Sequence, residues 1–167
     1  LPDTLAQNLD QVRQIARLVG HPERGERLLQ QINTALEQAR PRTSRRIRTL
    51  VYQPGGFAAG QGTLMNEMME RAGLQNVASH YGVGKWGNVS LEHILMNPPE
   101  LLLSGGSDNS MPSRAERIMR HPALASLVGK VIQARLDERL LYCGGPVLIR
   151  TAQALARARD HALAQLA

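Results

Sequence analysis

The chain has 167 residues, of which 43% are hydrophobic and 20% charged, with a formal net charge of +6. That length accommodates one domain, or one domain with a helical extension, and a core that needs no covalent staples. The single cysteine, Cys143, excludes an intramolecular disulfide and any cysteine metal cluster, and no apolar run approaches the roughly 20 residues of a membrane span.

A basic balance directs attention to nucleic acid, a membrane surface or an anionic ligand. Its distribution argues against nucleic acid. The only tight cluster, Arg42, Arg45, Arg46 and Arg48, contains no aromatic residue on which a base could stack. The chain opens on Leu1 with neither a Met nor a signal-peptide pattern, so a processed or truncated product is expected and the N-terminus carries no address.

The first element is helical. Leu5, Leu9, Val12, Ala16 and Val19 recur at steps of three and four, with Asp3 or Thr4 as cap and Gly20-His21-Pro22 as stop. A second helix restarts at Pro22 on a stripe of Leu28, Leu29, Ile32, Ala35 and Leu36, and Pro41 closes it. The period then changes. Residues 47–52 form a short β-branched run, ended by Pro54-Gly55-Gly56.

Thr63 precedes a helix through Ala72, with Met65, Met68 and Met69 at core spacing and Gly73 as its end. Val77 and Ala78 suit a very short strand. Ser90 caps a helix over 91–96, and 101–103 is a buried strand stopped by Gly105-Gly106. Helical pieces are expected around 115–119 and 123–127. Strands are expected at 131–134 and 140–142, the second antiparallel because its connection is short. Cys143 follows as a small buried hydrophobe. A last helix runs from about Pro146 to Leu166. Strands alternating with helices predict an α/β three-layer sandwich, a mostly parallel sheet flanked by helices and preceded by a long helical segment.

In such a sheet ligands collect at the carboxyl ends of the strands, where two loops stand out. Residues 53–62 are glycine-rich and lead into a helix, but lack the Gly-Lys-Ser/Thr of a phosphate loop and the spacing of a dinucleotide fingerprint. Tight turns that let a bulky ligand approach the backbone are the functional reading. Residues 80–88 hold Tyr81 and the only tryptophan, Trp86, in a chain with 3% aromatic residues, and aromatic faces suit large planar or apolar ligands. Catalytic patterns are poor. Ser104 lacks the turn of a serine nucleophile, and the histidines show no paired metal spacing. His21 and His121 each precede a proline and read as helix punctuation, while His80 is a loop candidate.

Taken in order, Tyr52-x-Pro-Gly-Gly-Phe57, Gly60-x-Gly-Thr-Leu-Met-Asn-Glu67 and Arg71-Ala-Gly-Leu-Gln-Asn76 resemble the start of the C-terminal lobe of periplasmic binding proteins for siderophores, haem and cobalamin. Trp86-Gly-Asn-Val-Ser-Leu-Glu92 is similar to that family's V-S-x-E helix start. Residues 97–103 resemble its P-D strand, with Glu100 in place of Asp, and 144–155 its last helix. Gly73-Leu74 stands where many members have two glycines, and the family's N-terminal lobe has no counterpart here.

The resemblance implies a binding protein, not an enzyme, with 1–40 as inter-lobe linking helices and 41–167 as the C-terminal lobe. It implies an iron-siderophore, haem or cobalamin as transported ligand, with no resident cofactor or metal. It also implies a periplasmic location and an ABC permease as membrane partner, no nucleic acid being involved. Ligand contacts are expected from Tyr52, Gln53, Phe57, His80, Tyr81, Lys85 and Trp86, the four aromatics facing the cleft. Glu92, at the V-S-x-E position, is expected to meet arginines of the permease. Two readings stay open beside this: an α/β enzyme of nucleotide-dependent type, and a stand-alone interaction domain of the same fold.

Overall fold

A computed structural model describes residues 3–106, 131–141 and 144–166. Helix α1 (Leu5–Leu18) starts in a capping box, with Thr4 Oγ1 accepting from the Gln7 amide and the Gln7 side chain accepting from the Thr4 amide. Gly20, at φ 76°, turns the chain into α2 (Pro22–Gln38), whose proline occupies a position with no amide to satisfy. The two helices lie so close that a Cβ on Gly25 would overlap that of Ala16.

Four strands form one sheet: β1 (Ile47–Tyr52), β3 (Leu74–Asn76), β5 (Leu101–Gly106) and β6 (Ile132–Asp137). Their order is β3-β1-β5-β6 and every pairing is parallel. The remaining strands, β2 (Phe57–Ala59) and β4 (Trp86–Asn88), make a separate antiparallel ribbon. Helices α3 (Leu64–Arg71), α4 (Leu91–Met96) and α5 (Val147–Leu166) complete the described elements.

The period-two alternation of β1 and β5 divides the core in two. Ile47, Val51, Leu101 and Leu103 face α2, α3 and α5, joining Ile32, Met68, Met69 and Leu155. Leu50, Tyr52 and Leu102 face the other way, against Val77, Tyr81, Val89 and Ile94. The three consecutive leucines of β5 are fully buried, each contributing about 1.5–3 kcal/mol, and this two-sided burial explains why β5 reads as an unbroken apolar run. The three-layer α/β architecture is thus as the sequence predicts.

Arg159 of α5 ties the first layer together. Its buried guanidinium donates to the Ala39 carbonyl at 2.6 Å and the Ala72 carbonyl at 2.8 Å, just past the ends of α2 and α3, and pairs with Asp160 at 2.9 Å. Carbonyls at helix ends lack intrahelical partners, and a cation satisfies both the hydrogen bond and the dipole.

Three strand expectations are corrected. The strand near residue 77 lies earlier, at Leu74–Asn76. Gly73 at φ 81° lets the chain leave α3 straight into the sheet, and Val77 only adds an amide bond to the Thr49 carbonyl. The strand expected to stop before Gly105 runs to Gly106, because β6 pairs with it along its whole length. In place of an antiparallel strand at 140–142, Leu140 closes a 3-10 turn (Glu138–Leu140), capped by the Asp137 carboxylate accepting from the Arg139 amide. Tyr142, Cys143, His121 and the helical pieces expected at 115–119 and 123–127 lie outside the described residues.

Candidate ligand-binding site

All four parallel strands end on one edge of the sheet, and the chain leaving β1 builds a platform there. Gln53 is buried; its amide donates to the Phe57 carbonyl and its carbonyl accepts from the Gly56 amide. Gly55 and Gly56, at φ 79° and 84°, reverse the chain into β2. The reversal needs glycine twice over at position 56, where a side chain would also meet the Val89 carbonyl and the Tyr52 hydroxyl.

Ribbon register is fixed by Phe57 opposite Asn88, Ala58 opposite Gly87 and Ala59 opposite Trp86. Bonds from Gly60 N to the Lys85 carbonyl (2.9 Å) and from Asn88 Nδ2 to the Gly55 carbonyl (2.9 Å) close its two ends. Asn76 anchors it to the sheet, donating to the Ala59 carbonyl at 2.8 Å and to Asn66 Oδ1 at 3.1 Å.

On this ribbon the Phe57 and Trp86 rings stack, with centroids 5.5 Å apart and planes 5° from parallel. Trp86 nevertheless remains 45% exposed. Beside it, Lys85 Nζ pairs with Asp3 at 2.6 Å. A large, held, partly solvated aromatic surface with an adjacent ammonium can receive a planar or apolar ligand bearing negative charge.

The structure splits the expected aromatic cluster into two pairs. Tyr52 and Tyr81 are buried behind the ribbon, 2% and 7% exposed, in the core face shared with Leu50. Tyr52 is the residue of β1 that alternation turns inward, and Tyr81 donates its hydroxyl hydrogen to the Asn97 carbonyl at 2.6 Å. Neither ring faces outward. Burial, with the Glu92 carboxylate adding to it, pushes the Tyr52 phenol above its ordinary range. Burial does the same to Tyr81, against the opposing pull of Arg48. His80 is exposed on the 3-10 turn Ala78–Tyr81. Glu92 is exposed in the first turn of α4, whose start Ser90 caps by accepting from the His93 amide.

Sequence reasoning missed Asp3, Asn66, Asn76 and Asn88. The asparagines lie inside the motifs that carry the family resemblance but were given no site role, and Asp3, read as a candidate cap, lies 82 positions from Lys85. Among the described residues, no three His, Cys, Asp or Glu side chains are grouped to hold a metal ion, and no helix is long and apolar enough to cross a membrane.

The parallel sheet thus carries an aromatic platform at its carboxyl edge. The family model for periplasmic binding proteins matches residues 1–129, and the chain belongs to that family. No curated protein matches the chain in sequence. Among solved structures it is similar to the periplasmic heme-binding protein RhuT from Roseiflexus sp. RS-1, at 25% identity and a TM-score of 0.70, over 97% of this chain and 63% of that one. The vitamin B12-binding protein BtuF of Vibrio cholerae shares 16% identity with a TM-score of 0.74, over 98% and 64% of the two chains. An ABC-type Fe3+-hydroxamate transport protein from Saccharomonospora viridis gives 17% and 0.74, over 93% and 56%. The chain thus spans less than two thirds of the length of each of these proteins.

Proposed function

We propose that this chain is one lobe of the substrate-binding component of an ABC importer. In this reading a periplasmic, two-lobed protein captures an iron-siderophore, haem or cobalamin between its lobes and hands it to a membrane permease. Residues 1–40 link the lobes and 41–167 form the second. The protein acts by binding, not catalysis, and any metal arrives inside the ligand.

One observation carries the reading: the exposed Phe57–Trp86 stack, held on a ribbon at the carboxyl edge of a parallel sheet. Family membership and the binding proteins of the same fold support it. Phe57 and Trp86 receive the ligand, Lys85 and His80 meet its polar rim, and Gln53, Tyr52 and Tyr81 support the platform from behind. Glu92 serves the permease, its carboxylate favoured by the amides at the start of α4.

Trp86, the only tryptophan, is its own probe. In a two-lobed protein carrying this sequence, titration with ferric siderophores, haem and cobalamin should quench its fluorescence with one of them. Trp86→Ala should weaken that ligand about tenfold by calorimetry, because an aromatic contact is worth about 0.5–1.5 kcal/mol beyond area burial and 1.4 kcal/mol is a factor of ten. Unchanged affinity in Trp86→Ala, or no binding of any of the three classes, would overturn the reading.

A further inference from the structure

The ammonium beside the platform already has a carboxylate on it. Lys85 Nζ lies 2.6 Å from Asp3 Oδ2, across 82 positions of sequence. The two side chains are 47% and 48% exposed, so a solute can reach either partner. The Lys85 backbone is fixed, because its carbonyl accepts from the Gly60 amide at 2.9 Å. Its long stem is flexible and can turn the charge from one anion to another. Gly84, one residue earlier, has open space where a side chain would stand, which leaves that approach clear. Trp86 follows directly, so a ligand lying on the Phe57–Trp86 stack brings its rim to the same stretch of chain.

Local structure delivers Asp3 to this place. Its amide donates to Gln7 Oε1 at 2.9 Å, the same oxygen that completes the capping box of α1. Two contacts that do not involve the Asp3 side chain seat the helix start on the lobe. The Leu5 amide donates to Glu67 Oε2 at 2.7 Å, and the Gly145 amide donates to Asn8 Oδ1 at 3.3 Å. Exchanging Asp3 for another anion therefore leaves α1 in place. An exposed ion pair adds little to folding, and its larger effect is on whatever arrives. A bare ammonium attracts any anion, whereas a carboxylate tethered beside it competes at an effective concentration on the order of millimolar. Small anions at lower concentration do not displace it. A ligand whose anionic group arrives with an aromatic contact does, because stacking adds to the exchange of one ion pair for another.

We propose that Asp3 is a built-in competitor for the ligand's anionic group at Lys85, and thereby a specificity-determining residue of the platform. The ligand class it points to carries a carboxylate at the rim of a flat, largely apolar body. Such a ligand trades the Asp3–Lys85 pair for its own pair with Lys85, while a ligand with a neutral rim leaves Asp3 where it is. The proposal rests on the reading of Phe57 and Trp86 as the ligand platform.

The test titrates a two-lobed protein carrying this sequence with haemin, whose rim bears carboxylates, and with haemin dimethyl ester, the same ring without them. Both are followed by the absorbance of the porphyrin. At low ionic strength Asp3→Asn should tighten haemin about two- to fivefold, the range of an exposed ion pair, and leave the ester unchanged. Lys85→Met should weaken haemin and cancel the gain from Asp3→Asn in the double variant. Asp3→Ala repeats the measurement with no polar group at the position. Unchanged or weaker haemin binding in both Asp3 variants would overturn the proposal. So would an equal gain with the ester, or a gain that survives Lys85→Met, because neither is competition for Lys85. Haemin that does not bind the parent protein also overturns it, and quenching of Trp86 by cobalamin or a ferric siderophore then leaves the platform reading standing. Failure of that reading shows separately, as a haemin affinity indifferent to Trp86→Ala.

Discussion

Gly60 decides whether the platform exists. Its φ needs no glycine, but a Cβ there would overlap the Gly84 carbonyl oxygen, and its amide holds the Lys85 carbonyl. Gly60→Ala should therefore push β4 away from β2 and cost about 1–3 kcal/mol as an overpacked contact. The measurement is urea denaturation, together with a red shift of Trp86 emission as the ring leaves Phe57.

Tyr52 and Tyr81 give a pH signature. An unfolded tyrosine ionises near about pH 10, and both folded phenols are raised, so the folded chain keeps protons that the unfolded chain releases. Their contribution to stability is complete below about pH 10 and is lost as pH climbs through the folded values. Difference titrations at 295 nm against Tyr52→Phe and Tyr81→Phe should show both midpoints above that of a free tyrosine. Trp86 was legible in the sequence because a lone tryptophan near glycines is unsuited to a core. The burial of Tyr52 was not, since it depends on Val77, Tyr81, Val89 and Ile94, distant in sequence, covering the second face of β1.

Among the elements, α5 has the largest structural duty, and Arg159 concentrates it. Arg159→Met keeps the bulk but leaves the Ala39 and Ala72 carbonyls without their buried donor, a loss of about 1–3 kcal/mol for each group stranded. Chemical denaturation should show a lower midpoint with an unchanged slope, because the same surface is exposed on unfolding.

The helices were readable from period and caps: Thr4, Thr63 and Ser90 each accept from a first-turn amide. Short strands were not. β2 and β4 have three residues each, and what makes them strands is pairing between residues such as Ala58 and Gly87, too far apart for a window of local sequence to contain. Residues 140 and 141 carry the apolar content of a strand but belong to a turn, because Asp137 captures the Arg139 amide first.

At the scale of the whole molecule, the proposed roles in capture and in delivery fall on different elements. The platform belongs to the ribbon, while Glu92 stands exposed on α4, behind which Tyr52 and Ile94 fill the core. In the two-lobed protein, Glu92→Arg should leave ligand affinity unchanged and abolish permease association, because truncating one partner of a desolvated charge pair costs about 2–5 kcal/mol and a reversed charge adds repulsion. Calorimetry for the ligand and binding to permease in nanodiscs separate the two effects. Normal association by Glu92→Arg would free Glu92 of that role.

The stapling of α2 by α5 also orders events in time. Ala39 meets Arg159 across 120 positions and Asn8 meets Gly145 across 137, so these two contacts form only when the final helix is being synthesised. Contacts so distant in sequence form late and close slowly. Until then the stripe of Ile32 and Leu36 lacks the α5 side chains, such as Leu148 and Leu155, that share its core cluster. A nascent chain built in this way completes its first layer only after α5 has emerged.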